Sequence, residues 1–315
     1  MFNSDHDTLQ QIMKSLTEEQ YESLEKAMKH KEGLVYIQKP VNKKGKQFMQ
    51  GFWVKPSEAA HFKHVHAKEL SETRDQHLNE KGQYNQDRAK LHKKILYDIL
   101  GQCSKPEPGK KPVLVIMGGG SASGKSTMRK ATVDIHMGKK GIKVGTVDAD
   151  EIKSHLPEYE SLKSSHPDDA ARLVHEESSD ITALAIDTLL RKGMNFVYDG
   201  TAKNKDKYQA LVKEAKKRGF EVHLYVADCS LETAKKRSDA RAKKEGRYVP
   251  HSIIESSHKG VPKTVEAIKE QVDSYQVYST EKGGAPELIA SNDHINPEEY
   301  AKFVGKAGIN YSAKD

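Results

Sequence analysis

The sequence predicts an α/β fold, a parallel sheet flanked by helices and preceded by a smaller, mainly helical region that contains a β-hairpin. Three observations predict it. After residue 113, short runs of Val, Ile and Leu alternate with longer helical patterns, the signature of a parallel sheet covered on both faces. One of those runs leads directly into a Gly/Ser-rich loop and then a helical pattern. Between 104 and 112 the run Ser-Lys-Pro-Glu-Pro-Gly-Lys-Lys-Pro discourages both helix and central strand. The expected organisation is an N-terminal region at 1–103, a linker at 104–112 and the sheet domain at 113–315.

The elements follow in order. Residues 8–31 read as a helix, with Ser15 and Glu18 suited to a capping box and Leu16, Tyr21, Leu24, Ala27 and Met28 near helical spacing. Residues 34–55 carry two apolar runs about a Pro/Asn/Lys/Gly turn, which predicts a hairpin. Residues 57–101 return to a polar helical pattern that stops at Gly101. Beyond the linker, strands are predicted at 113–117, 143–147, 195–198, 221–226 and 287–290. Helices are predicted at 125–138, 170–192, 203–218, 231–244 and 262–277.

Composition narrows the function classes. The 315 residues carry 52 Lys+Arg against 45 Asp+Glu, a net charge of +7, and 31% are charged, which implies a heavily solvated surface. The longest apolar run, 113–117, falls far short of the ~18 residues of a membrane span. The first residues lack the basic and apolar regions of a secretion signal. Cys103 and Cys229 build neither a disulfide nor a zinc framework. A reduced, cytoplasmic protein with no membrane partner is expected. The basic clusters at 43–46 and 216–218 read as solvated faces, and no nucleic-acid-binding signature accompanies them.

The strand at 113–117 enters Gly118-Gly119-Gly120-Ser121-Ala122-Ser123-Gly124-Lys125-Ser126-Thr127. Gly119 to Ser126 satisfies G-x-x-x-x-G-K-[ST] with a strand before it and a helix after it, the context the motif requires. Glycines let backbone N–H groups turn inward around phosphates at a helix N-terminus. Lys125 reaches the β- and γ-phosphates as a point charge, and the Ser126 hydroxyl suits Mg²⁺. This is the loop of a P-loop NTPase-type sheet, and it calls for a nucleoside triphosphate.

Chemistry in an open parallel sheet collects beyond the carboxyl ends of the strands. Two strands end in acids there, one at Val147-Asp148-Ala149-Asp150 and one at Tyr198-Asp199-Gly200-Thr201. Asp199 has the placement of a carboxylate serving Mg²⁺ or its waters, and Asp150 that of a base accepting a hydroxyl proton. One of the pair Asp148/Asp150 can instead cap the helix that follows, a role better suited to Asp148. Further on, Arg237 and Arg241 share one helical face and Arg247 follows Gly246, the pattern of a cationic lid over a transferring phosphoryl group.

From about 113 to 263 these residues resemble the zeta toxin family of P-loop kinases. The landmarks occur in order: the phosphate loop, Val147-Asp148-Ala149-Asp150, Asp199-Gly200-Thr201, and the arginines with Gly246-Arg247-Tyr248-Val249-Pro250. Zeta toxins use ATP to phosphorylate the 3′-hydroxyl of the amino sugar in UDP-N-acetylglucosamine, blocking peptidoglycan synthesis. The resemblance implies Asp150 as general base, Lys125 on the γ-phosphate, and Arg247 with Arg237 or Arg241 as lid arginines. It also implies ATP held by 119–127, Mg²⁺ at Ser126 and Asp199, and a sugar nucleotide contacted by Asp150, Glu177, Asp199 and Thr201. The family's best-studied members carry Glu-Gly-Thr where this chain has Asp199-Gly200-Thr201. Their sugar-binding glutamate falls at Ala183 here, with Glu176 and Glu177 the nearest acids.

The family's helical antitoxin implies an antitoxin partner or restraint in cis by the N-terminal region, which has no catalytic pattern of its own. Two alternatives stand beside the sugar-nucleotide kinase. One is a P-loop kinase acting on a nucleoside, a polynucleotide 5′-hydroxyl or another small alcohol, since the lid's charge also suits nucleic acid. The other is a nucleotide-switched binding or scaffold protein, which has no need of Asp150.

Overall fold

The computed structural model describes residues 35–43, 46–54, 71–142, 144–167, 169–245 and 249–312. The chain divides into two compact units, Met1–Ser71 and Glu72–Asp315. In the first, β1 (Val35–Lys43) and β2 (Lys46–Val54) form the expected hairpin, antiparallel and in register from Val35 opposite Val54 to Lys43 opposite Lys46. The helix expected at 8–31 lies outside the described residues.

The second unit opens with α1 (Thr73–His77) and α2 (Gln86–Gln102), the latter capped by Asn85, whose side chain accepts from Arg88 N–H. The division therefore falls N-terminal to the expected linker, and the reason is packing. Ile95, Ile99 and Cys103 are buried in the same apolar cluster as Leu114, Ile116 and Val147 of the sheet. At the Pro-rich segment itself, Ser104 O accepts from Asn195 N–H and Asn195 Oδ1 accepts from Val113 N–H. Composition at 104–112 reports a stretch without regular structure, and the apolar stripe of α2 decides which body it joins.

The sheet is built from β3 (Val113–Gly118), β4 (Gly145–Asp148), β5 (Phe196–Asp199), β6 (Glu221–Asp228), β7 (Ser274–Ser279) and β8 (Glu287–Ser291). Its order is β4-β5-β3-β6-β7-β8, parallel except for β8, which pairs antiparallel with β7. Alternation along β3 sends Val113, Val115 and Met117 to one face and Leu114 and Ile116 to the other. The first face packs on a helical stretch made of α3 (Lys125–Arg129), a π-helical turn (Lys130–Asp134) and α4 (Ile135–Lys139), through Met128, Val133 and Met137.

After β4 come three short helices that the sequence pattern did not signal fully: α5 (Ala149–Ser154), α6 (Pro157–Ser165) and α7 (Ala170–Leu173). They lead to α8 (His175–Lys192), which contributes Ile181, Ala185 and Leu189 to the larger core. Then follow α9 (Lys205–Lys217), α10 (Leu231–Glu245), α11 (His251–Ile268) and α12 (Pro297–Gly305). The helix expected at 262–277 is a correction. Ile254, His258, Val261, Val265 and Ile268 form one buried stripe that carries α11 from His251 through Pro262 to Ile268. Residues Ser274–Ser279 are strand β7, with Tyr275 and Val277 buried.

A buried ion cluster fastens α2 to the sheet-bearing body. The Arg88 guanidinium, 5% exposed, donates through Nε and Nη2 (2.7 Å) to the fully buried Glu177 on α8. It also donates to both oxygens of Glu158, each at 2.9 Å. His92 Nε2 meets Glu177 Oε1 at 2.6 Å. Burial pushes the Glu177 carboxyl up, but the bonds from Arg88 and His92 outweigh it and hold the group at about 2. Glu177→Gln leaves Arg88 with an uncompensated buried charge on that side, and should cost about 3 kcal/mol of unfolding free energy, read by urea titration.

Candidate active site

The open sheet changes winding direction at β3, and the loop after β3 sits at the carboxyl ends of β5 and β6. Gly119 adopts φ +144° and is pressed between Ser123 Oγ and Ala227 O, which an added Cβ would approach to 2.5 and 2.6 Å. The loop closes on itself, with Ser123 N–H donating to Gly120 O and Lys125 Nζ to Gly119 O at 3.2 Å. Gly119 N–H donates to Thr201 O at 3.1 Å, so the Asp199-Gly200-Thr201 segment touches the loop through its backbone. Ser126 and Thr127 are exposed in the first turn of α3.

Asp148 and Asp199 are direct register partners on β4 and β5, and Met117, just before the loop, is the partner of Asp199 on β3. The strand pairing thus brings both acids to the loop. Asp148 caps α5, accepting from Asp150 N–H at 2.8 Å, the role anticipated for it. Burial and then the charge of Asp199 push the Asp148 carboxyl up to about 6. Asp199 is 9% exposed; burial raises it as well, against the pull of Lys125 and Arg129. Two close carboxylates that resist ionisation together form a donor set suited to a divalent cation.

Asp150 projects from the first turn of α5 and is half exposed, with Lys153 Nζ 2.8 Å from Oδ1. Lys153 is a buried lysine that sequence reasoning missed; the signal was its i+3 spacing from Asp150. Arg129 was also missed. Its Nη1 lies 3.2 Å from Thr146 Oγ1 and 3.7 Å from Asp199, one helical turn beyond Lys125.

The lid residues divide. Arg237 is half-buried and donates to Thr280 O at 2.6 Å and to Thr280 Oγ1 at 3.2 Å, while the Thr280 hydroxyl donates to Ser123 O at 2.6 Å. Arg237 thus braces the phosphate loop through Thr280. Arg241 lies one turn further along α10, half-buried, and Arg247 lies outside the described residues. Glu177 is not brought to the site, because both its oxygens are committed to Arg88 and His92 and none of its surface is exposed. Ala183 is exposed on α8.

The family profile described as Zeta toxin matches residues 98–294. The chain belongs to the zeta toxin family. The calmodulin calcium-dependent NAD kinase of Arabidopsis thaliana is 28% identical over 257 residues, covering 65% of this chain and 48% of the relative. The chain therefore spans about half the length of that curated relative. Among solved structures, AvrRxo1-ORF1:AvrRxo1-ORF2 with sulphate ions superposes with a TM-score of 0.58 at 22% identity, over 75% of this chain and 77% of the other. The same complex with ATP gives 0.58 at 20% identity, with the same coverage. The PezAT chromosomal toxin–antitoxin system of Streptococcus pneumoniae gives 0.53 at 15% identity, over 71% of this chain and 88% of the other. These likenesses establish the fold that the phosphate loop and strand order describe. In this zeta toxin family member, no described helix is long and apolar enough to cross a membrane.

The Asp148 environment generates a prediction. Its folded value, about 6, lies above the ordinary 3.8, so the folded state holds the extra proton between those values. Stability therefore falls as pH rises through that window. Asn caps helices as well as Asp. Asp148→Asn should raise the melting temperature at pH 7.5, a gain of about 1–3 kcal/mol in stability, and have no effect below about pH 3.

Proposed function

We propose that the chain is an ATP-dependent kinase that transfers the γ-phosphate to a hydroxyl of a nucleotide-linked sugar. The observation that carries this reading is the convergence of the phosphate loop with Asp148, Asp199 and Asp150 at adjacent strand ends. A nucleotide switch shares the Mg²⁺-binding carboxylate but has no need of a base for an acceptor hydroxyl, the role Asp150 takes in the kinase reading.

In this reading, the loop N–H groups other than those of Gly119, Ser121 and Ser123, together with the start of α3, hold the ATP phosphates, and Lys125 neutralises charge on the γ-phosphoryl group. Asp150, its carboxylate held by Lys153, orients the acceptor hydroxyl and takes its proton as the oxygen bonds to the γ-phosphorus. The bond from phosphorus to the β–γ bridging oxygen breaks, and ADP leaves with that electron pair. Ser126 and Asp199 are the groups that would hold Mg²⁺, which when bound neutralises the β- and γ-oxygens. Arg241 and Arg247 supply further positive charge from the lid, with Arg237 bracing the loop.

The family resemblance supports UDP-N-acetylglucosamine as acceptor. The relative named as an NAD kinase favours a second reading, with a ribose hydroxyl of NAD as acceptor, and the commitment of Glu177 to Arg88 removes one acid that the amino-sugar reading uses. Because one solved neighbour is a toxin–antitoxin system, an antitoxin is the proposed protein partner.

The test is phosphate transfer from radiolabelled ATP to UDP-N-acetylglucosamine, to NAD and to an oligonucleotide with a 5′-hydroxyl, wild type beside Asp150→Asn. Label should appear on one of the two nucleotide-linked sugars, and fall by about 10²- to 10⁴-fold in the variant. Label on the oligonucleotide moves the enzyme to nucleic-acid end chemistry. Bound ATP with no transfer, unchanged by Asp150→Asn, supports the switch reading instead.

A further inference from the structure

We propose that Ser257 and His258, neighbours on α11, are positioning residues that clamp the outer backbone of the phosphate loop in its ATP-binding shape. This inference rests on the reading of that loop as the nucleotide site.

Both side chains are 1% exposed and both address one residue, Ser121. Ser121 N–H donates to Ser257 Oγ at 3.0 Å, and the Ser257 hydroxyl spends its single proton on Ile254 O at 2.8 Å. The hydroxyl is thereby oriented, with its lone pairs turned to the loop. His258 Nε2 lies 3.1 Å from Ser121 O. A carbonyl only accepts, so the proton is assigned to Nε2. His258 Nδ1 is buried without a partner, which fits a lone pair and opposes a second N–H there. Burial also drives this imidazole down to about 4, so the ring is neutral at working pH.

The ring also sets the shape of its neighbour. A Cβ on Gly120 would lie 2.1 Å from His258 Cδ2, so the imidazole packs flush against loop backbone that only glycine can present. Two residues further along, a Cβ on Gly260 would lie 2.5 Å from Lys203 O. The helix is therefore pressed equally closely on the segment whose Thr201 O receives Gly119 N–H. Among the described residues, Ser257 and His258 hold the backbone of Ser121 while Thr280 holds Ser123 O. With its outward groups tied, the loop keeps its inward N–H groups aimed without reorganising when phosphate arrives.

The test is calorimetric titration of the full chain with ATP, comparing wild type, Ser257→Ala, His258→Ala, His258→Gln, His258→Asn, Gly120→Ala and the double variant Gly120→Ala/His258→Ala. Gln places an amide N–H near the Nε2 position, whereas Asn reaches only as far as Nδ1. His258→Ala and His258→Asn should weaken ATP binding about tenfold, and His258→Gln should stay within about twofold of wild type. Ser257→Ala should also weaken binding. Gly120→Ala should be the most damaging single change, and the double variant no weaker than His258→Ala alone, because the ring that the new methyl meets has gone. ATP binding unchanged by His258→Ala, equal binding by the Gln and Asn variants, or multiplying losses in the double variant would each overturn the clamp. No ATP binding by wild type would overturn the nucleotide reading and the clamp with it.

Discussion

A loop of glycines and small residues at the end of a buried strand has almost no side chain to pack, so its shape is held by hydrogen bonds that neighbours make to its backbone. In this chain those bonds come from every side: Thr201 O to Gly119, Ser257 and His258 to Ser121, and Thr280 to Ser123. The surrounding elements are placed to deliver them. β5 carries Thr201 past its end, β7 carries Thr280 past its own, and α11 lies against both the loop and Lys203. Arg237 joins this frame by gripping Thr280.

The electrostatics of the site follow from the same packing. Register pairing of β4 with β5 forces Asp148 and Asp199 together where burial raises both. Lys125 and Arg129, one turn apart on the helix after the loop, face those acids and offset part of the cost. Asp150 stands apart, half exposed and tethered by Lys153, and so is open to an acceptor in a way the other two acids are not. Three acids within three residues of two strand ends thus receive different roles: Asp148 caps, Asp199 is buried beside the loop, and Asp150 faces outward.

The segment from Glu72 to Gln102 shows a different logic. It carries none of the proposed catalytic residues, yet Arg88 and His92 consume Glu177, and Ile95 and Ile99 complete the core beside β4. A carboxylate near the site in sequence is thereby made part of the scaffold. The N-terminal limit of the zeta toxin match, residue 98, falls inside this helix, in keeping with α2 belonging to the kinase-like body.

The phosphate loop, the acids at two strand ends, the hairpin and most of the sheet were legible in sequence because each depends on residues within one turn or one strand of each other. A glycine loop between a strand and a helix closes the same way wherever it occurs, and alternating Val, Ile and Leu place a strand with no knowledge of its partners. The roles of Glu177, Thr280, Ser257 and His258 were not legible, since their partners lie 89, 157, 136 and 137 residues away. Strand β7 and the span of α11 were hidden for a related reason: the buried stripe on both sides of Pro262 is seen only once the helix is packed. Local spacing determined which chemistry this chain can hold, and only tertiary packing decided which side chains remain available to perform it.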